Sequence, residues 1–174
     1  SEKKLFEPML VEYSDDNNTD YKENRSVYLS ISLLNEFDRP KLVKKFIWDL
    51  ADRNNLSTSV NSVKTANDIG RHDFAVQAGK ILYYNHTILD PLSFPQIERP
   101  EFGKIIFPEQ SLIHSVTRQE SQFDPKAGSY AGAKGLMQLM PYTAKRVSKG
   151  LKLEYTKSKL TEDPKYNVIL GSAY

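Results

Sequence analysis

The chain has 174 residues and carries 24 lysines and arginines against 22 aspartates and glutamates, which gives a formal net charge of +2. Its 39% hydrophobic and 26% charged residues are typical of a folded soluble protein. The near balance of charge gives no support to a nucleic-acid partner. The absence of cysteine excludes disulfides, thiol catalysis and cysteine-ligated zinc.

The N-terminus and the hydropathy pattern bear on targeting. No apolar run approaches the ~18 residues of a transmembrane helix, so the sequence predicts no membrane span. The chain begins SEKKLFEP, which has no hydrophobic signal core. We interpret the chain as a processed or excised segment without its own signal peptide.

Apolar spacing predicts helices across the first half of the chain. Residues 27–37 and 59–69 have the pattern of short helices, and another helix contains Phe74 to Leu82. A further helix begins after Pro40, and its predicted buried stripe consists of Leu42, Val43, Phe46, Ile47, Leu50 and Ala51. Four helices with short connections favour stacked antiparallel pairs.

Proline content marks a boundary in the middle of the chain. Residues 89–108 hold four of the nine prolines and are predicted to be an extended linker between a helical region, 1–88, and a second domain, 109–174. The second domain is predicted to contain helix 109–121, a turn region 124–135, a helix after Pro141 and a last helix beginning at Asp163–Pro164.

Glu120 is the candidate catalytic residue. On a helical projection it shares a stripe with Leu112, Ile113 and Val116, so a carboxylate is predicted on the buried face of helix 109–121. Burial would raise the pKa of this group above its ordinary value, as a general acid near neutral pH requires. The alternative is that Glu120 points to water at the end of its helix or pairs with a neighbour such as Arg118.

The residues around Glu120 suggest a family. The stretch 118–144, RQESQFDPKAGSYAGAKGLMQLMPYTA, resembles the glutamate-containing signature of the soluble lytic murein transglycosylases, bacterial enzymes with a goose-type-lysozyme-like catalytic domain. The matching positions are Glu120, Ser121, Phe123, Pro125, Ser129, Gly132, Ala133, 135–141, Thr143 and Ala144. The resemblance extends through Asp163, Pro164, 167–171 and Tyr174, and residues 27–88 are compatible with the family's N-terminal helical superhelix.

The resemblance implies a fold and a reaction. The fold would be mainly α, with stacked helical pairs followed by a lysozyme-like α domain. Glu120 would be the catalytic acid and base, Ser129 a polar residue near its carboxyl, and Gln138 and Met140 part of the saccharide groove. The substrate would be periplasmic peptidoglycan, cleaved at the β-1,4 bond between N-acetylmuramic acid and N-acetylglucosamine with formation of a 1,6-anhydro sugar. No metal and no cofactor are implied, and protein partners stay unknown.

Other chemistries receive less support from the residues. His72, His86 and His114 are scattered without ligand spacing and are interpreted as structural or solvated. Glycoside hydrolysis usually needs two carboxylates, but Asp124 stands in Asp-Pro, a common turn opener, and is interpreted as a turn residue. A hydrolase on the same fold and a non-catalytic glycan-binding module are the two alternatives.

One family element is missing from the sequence. The Ala-Tyr-Asn-Ala-Gly segment, whose tyrosine helps to form the family's groove, does not occur. We therefore expect a catalytic domain that is incomplete at its C-terminus, its other wall being absent or supplied from elsewhere. The 174 residues alone are expected to bind peptidoglycan weakly and to show no measurable cleavage.

Overall fold

The chain divides into two compact units, Ser1–Pro95 and Gln96–Tyr174. The structure is a computed structural model that describes residues 9–10, 22–53, 55–84, 87–88, 92–97 and 99–174. The division falls within the segment 89–108, whose described residues form no helix and no strand. Among the described residues, no helix is both long enough and apolar enough to cross a bilayer.

The first unit consists mainly of helices. They are α1 (Arg25–Glu36), α2 (Pro40–Ala51), α3 (Leu56–Asp68) and α4 (His72–Tyr84). A short parallel pair, β1 (Met9–Leu10) and β2 (Thr87–Ile88), was not predicted; Met9 lies opposite Thr87 and Leu10 opposite Ile88. The polar run at 15–20 and His86 lie outside the described residues.

Local signals in the sequence set the ends of these helices. Pro40 occupies the first turn of α2, where its missing N–H is no loss. The side chain of Asn55 caps α3 by accepting a hydrogen bond from Thr58 N at 3.1 Å. Gly70, with φ +71°, ends α3 because it allows Arg71 N to reach back to Ala66 O at 2.8 Å.

The buried stripe of α2 is narrower than the apolar spacing predicts. Val43, Ile47 and Leu50 are fully buried, but Leu42 and Phe46 are 46% and 39% exposed, so the six-residue stripe was too wide. Leu42 and Phe46 stay exposed because the neighbouring helices bury only the side chains of α2 that face them directly. The core residues contributed by the other helices are Tyr28, Ile31, Val60, Val63, Ala66, Phe74, Ala75, Ala78 and Leu82.

The second unit is also helical. Its helices are α5 (Gln110–Ser121), α6 (Pro141–Gly150), α7 (Lys159–Glu162) and α8 (Pro164–Ser172). Asp163 caps α8 by accepting a hydrogen bond from Tyr166 N at 3.0 Å, as its position before a proline predicts. The mainly α fold is thus confirmed in both units.

Two small apolar clusters hold the second unit together. One joins α5 to α8 through Ile113, Leu136 and Val168. The other contains Leu139, Ala144, Leu160, Tyr166 and Leu170. His114, interpreted from the sequence as structural or solvated, accepts a hydrogen bond at Nε2 from Ile97 N at 2.8 Å and so fastens the preceding segment to α5.

Candidate active site

Glu120 lies in the last turn of α5, and its side chain is exposed. The prediction of a buried carboxylate was therefore wrong for this chain. Leu112, which was placed on the same buried stripe, is 54% exposed, whereas Ile113 and Thr117 are buried.

The exposure of Glu120 follows from its position along the helix rather than around it. Seven residues separate it from Ile113, so both project in nearly the same direction, but Glu120 lies about 10 Å further along the axis. The cluster of Ile113, Leu136 and Val168 covers α5 at the level of Ile113. Glu120 extends past this cover, and its carboxyl faces solvent.

An abrupt turn follows Glu120. Gln122 and Phe123 both adopt left-handed backbone conformations, with φ +55° and +66°. Such conformations cost non-glycine residues free energy and are held only where the surrounding packing enforces them. Here Phe123 is 8% exposed, and its ring centroid lies 6.4 Å from that of His114 on α5. Packing of Phe123 therefore fixes the direction in which the chain leaves the carboxylate.

Asp124 has the structural role that its Asp-Pro sequence predicts. Its Oδ1 accepts a hydrogen bond from Lys126 N at 2.8 Å, and Ala127 N donates to Asp124 O at 3.2 Å. These contacts are those of an aspartate that closes a turn on its own backbone. The carboxylate of Asp124 is thus engaged in the turn.

Ser129 begins a tight turn in the signature segment, residues 118–144. Gly132 N donates to Ser129 O at 3.0 Å, and Ser129 N donates to Ala133 O at 3.1 Å. The Ser129 hydroxyl oxygen also accepts a hydrogen bond from Ala133 N at 3.0 Å. The Ser129 side chain is exposed and keeps its hydroxyl proton available for a ligand.

Two isolated β-bridges order the signature segment. Gly128 pairs antiparallel with Lys134, and Lys134 pairs antiparallel with Leu139. Because two antiparallel steps restore the original direction, the chain leaves Gly128 and Leu139 in the same direction. Ser129 and Met140, the residues that follow these two, therefore emerge at the same end of the bridged segment. Met140 is 43% exposed there.

Gln138 lies in the turn between Lys134 and Leu139. It adopts φ +44°, and its Nε2 donates to Gly135 O at 2.8 Å. The side chain is half-buried, so its amide oxygen is the group left to meet a ligand. Met137 is partly buried and packs against the cluster of Ile113, Leu136 and Val168, so it belongs to the core of the unit.

Asn167 on α8 connects the turn at residues 134–139, called the signature turn below, to the rest of the unit. It is fully buried and donates from Nδ2 to Lys134 O at 3.0 Å and to Leu160 O at 2.9 Å. Its Oδ1 accepts from Met137 N at 2.9 Å. Both amide protons and the amide oxygen thereby bind backbone groups, which locks the turn that presents Gln138.

Gly135 allows this close approach. Its φ is +75°, and a Cβ at this position would lie 2.0 Å from Leu160 O and 2.3 Å from Asn167 Nδ2. The first of these atoms belongs to the backbone and has little room to move. Only glycine satisfies both the left-handed conformation and the contact.

We expect Gly135→Ala to destabilise the second unit by about 3 kcal/mol or more, because the substitution adds left-handed strain to a backbone clash. Thermal unfolding followed by circular dichroism measures the effect. Gly128→Ala is the matched control, since a Cβ there meets its nearest atom, Lys134 Nζ, at an ordinary 3.6 Å. Equal melting temperatures for the two variants would contradict the role assigned to Gly135.

Arg118 is a charged residue of α5 that lies close to Glu120 in the sequence. It is half-buried two residues before Glu120, and burial lowers its pKa from the ordinary value for arginine. The guanidinium nevertheless stays cationic at neutral pH, because arginine is far too basic to lose its proton there. Within the ranges that the structure describes, no three histidine, aspartate or glutamate side chains are grouped as a metal site would require.

Comparison with known proteins identifies this region. Residues 108–174 match the model of the family described as "Transglycosylase SLT domain". The match lies within the second unit and leaves the first unit outside it. The family resemblance that the signature suggested is thereby confirmed for residues 108–174.

Two curated relatives are similar to part of the chain. The soluble lytic murein transglycosylase of Escherichia coli is 37% identical over 86 residues, which are 48% of this chain and 13% of that protein. The membrane-bound lytic murein transglycosylase C of Mannheimia succiniciproducens is 44% identical over 69 residues, which are 38% of this chain and 19% of that protein. The chain thus spans less than a fifth of the length of these two relatives.

Solved structures show a likeness in fold. The crystal structure of the 70 kDa soluble lytic transglycosylase of Escherichia coli superimposes with a TM-score of 0.71 at 24% identity, covering 94% of this chain and 27% of that one. The lytic transglycosylase Slt of Pseudomonas aeruginosa gives a TM-score of 0.62 at 23% identity, over 86% and 26% of the two chains.

The structure places the candidate residues in one short stretch with different surroundings. Glu120, Ser129 and Met140 are exposed, and Gln138 is half-buried on a turn held by Asn167. Asn167 was matched to the family in the sequence but received no role there. A signal for its role was present, because a polar amide precedes the apolar run Val168, Ile169 and Leu170 and is therefore expected to be buried with partners.

Proposed function

We propose that the protein is a lytic transglycosylase that cleaves the β-1,4 bond between N-acetylmuramic acid and N-acetylglucosamine in peptidoglycan. The observation that carries the proposal is the exposed carboxylate of Glu120 at the end of α5, followed directly by the bridged SLT signature turn. The protein would bind the glycan strands of peptidoglycan, and it would do so in the periplasm.

The proposed reaction uses a single carboxyl group twice. Glu120 first donates its proton to the glycosidic oxygen as the bond from this oxygen to the anomeric carbon breaks. The C6 hydroxyl of the muramic acid residue then attacks the anomeric carbon, and Glu120, now a carboxylate, takes the hydroxyl proton. The new bond between C1 and O6 closes a 1,6-anhydro ring, and Glu120 regains its starting protonation state.

The exposure of Glu120 assigns part of the work to the substrate. Water competes with a substrate for hydrogen bonds to an exposed carboxyl group. A glycan strand lying over the end of α5 would exclude this water and bring the Glu120 carboxyl into contact with the glycosidic oxygen. Ser129 and Met140 would meet the same strand, since both emerge at one end of the bridged segment.

Product analysis tests the proposal. The full-length protein is incubated with murein sacculi in water enriched in ¹⁸O, and the released fragments are analysed by mass spectrometry. We expect muropeptides with anhydro ends, lighter by one water than hydrolysis products, and without ¹⁸O. Reducing ends that contain ¹⁸O would instead identify a hydrolase, and the absence of any fragments would favour a glycan-binding module.

A further inference from the structure

Tyr130 is the most exposed large side chain in the signature segment. Its relative exposure is 109%, so the ring gains no cover from the described part of the chain. It lies directly after Ser129, at the tip of the turn that Gly132 N closes onto Ser129 O at 3.0 Å. An aromatic ring in this position exposes a large apolar face that a ligand could cover.

The backbone beneath Tyr130 is well fixed. The flanking residues Ser129 and Ala133 are joined by a backbone hydrogen bond of 3.1 Å and by a second one, of 3.0 Å, from Ala133 N to the Ser129 hydroxyl oxygen. A tyrosine has few rotatable bonds, so a ring on a closed turn loses little conformational entropy when a ligand covers it. The turn thus presents a preorganised contact surface.

The location of the turn indicates which ligand the ring would meet. The two β-bridges direct residues 129–130 and Met140 to the same end of the signature segment. Met140 is 43% exposed there, so a thioether and an aromatic ring are both accessible at this end. This is the end that carries Ser129 and Met140, which would meet the glycan strand in the proposed function, on which the inference rests.

We infer that Tyr130 is a sugar-stacking residue that binds the C–H face of a pyranose ring of the glycan strand. The electron-rich face of an aromatic ring attracts the weakly positive C–H groups on the apolar face of a hexose. Stacking requires the ring and not the hydroxyl, so phenylalanine and tryptophan substitute for tyrosine and alanine does not. Tyr130 thereby sets affinity for the strand and takes no part in proton transfer.

The experiment measures binding of peptide-free murein glycan strands by isothermal titration calorimetry. It uses the full-length protein with Glu120→Gln, so that the strands are not cleaved during the titration. Adding Tyr130→Ala is expected to weaken binding roughly tenfold, whereas Tyr130→Phe and Tyr130→Trp keep the affinity within about twofold. Because the side chain is fully exposed, the melting temperature stays unchanged.

Tyr84→Ala is the matched control, since this tyrosine is 77% exposed in the first unit. Unchanged affinity in Tyr130→Ala, equal losses in the alanine and phenylalanine variants, or an equal loss in Tyr84→Ala would each overturn the inference. A protein that binds no strands at all would overturn it as well. The lyase proposal is decided separately, by the products of the unaltered protein.

Discussion

Replacement of Glu120 by glutamine is expected to reduce the release of anhydro-muropeptides by the full-length protein by about 10²–10⁴-fold, the usual contribution of general acid and base catalysis. The amide has the shape of the carboxylic acid but can neither donate the proton to the glycosidic oxygen nor accept one from the C6 hydroxyl. The Glu120 side chain is exposed, so the substitution removes no buried contact, and we expect the melting temperature and glycan affinity to be kept.

Two other carboxylates provide controls for Glu120. Asp124→Asn tests the neighbouring acidic residue, whose Oδ1 accepts a hydrogen bond from Lys126 N, and is expected to keep most of the activity. Glu162→Gln changes an exposed glutamate in the same unit by the same chemistry. Retention of more than about a tenth of the rate in Glu120→Gln, or an equal loss in Asp124→Asn, would remove Glu120 from the role of sole acid and base.

Replacement of Asn167 by alanine is expected to destabilise the second unit by about 3–5 kcal/mol. The change removes the donors to Lys134 O and Leu160 O and the acceptor for Met137 N. Each buried polar group left without a partner costs about 1–3 kcal/mol, and Lys134 O loses less because it also accepts from Leu139 N. Urea denaturation followed by circular dichroism gives the difference in the free energy of unfolding.

Asn35→Ala is the matched control for Asn167. The Asn35 side chain makes one hydrogen bond, from Nδ2 to Ile69 O at 3.1 Å, and lies in a half-buried position of the first unit. Its loss is expected to cost about 1 kcal/mol. If Asn167→Ala costs no more than Asn35→Ala, the amide does not hold the signature turn.

The helices were predictable because their signals are local. Pro40 and the spacing of Val43, Ile47 and Leu50 mark α2 from the sequence, and the structure begins that helix at Pro40. Asp163 followed by proline marks the start of α8 in the same way. Capping residues and periodicity act within one or two turns, so they can be read without knowledge of the fold.

The environment of Glu120 was not predictable in the same way. A helical projection gives the direction in which a side chain points but not how far its packing partners extend along the axis. Ile113 and Glu120 share a direction, yet only Ile113 is covered by Leu136 and Val168. Burial at a helix end depends on tertiary neighbours, about which the pattern of one helix carries no information.

The geometry of the signature turn also lay beyond the sequence pattern. Gln122, Phe123 and Gln138 adopt left-handed conformations although they are not glycines, so their residue types gave no signal of it. Packing against His114 holds Phe123, and the hydrogen bonds of Asn167 to Met137 N and Lys134 O hold the turn that contains Gln138. The family resemblance located the candidate residues, whereas the contacts that hold them required the structure.

The dependence of the signature turn on Asn167 has a consequence for the order in which the second unit folds. Met137 N and Lys134 O meet their partner 30 and 33 residues later in the chain. During synthesis, the turn that presents Gln138 therefore emerges from the ribosome well before the residue that locks it. Closing a loop of this length carries an entropic cost. The two hydrogen bonds that lock the turn are consequently made only once α8 has formed and docked against it.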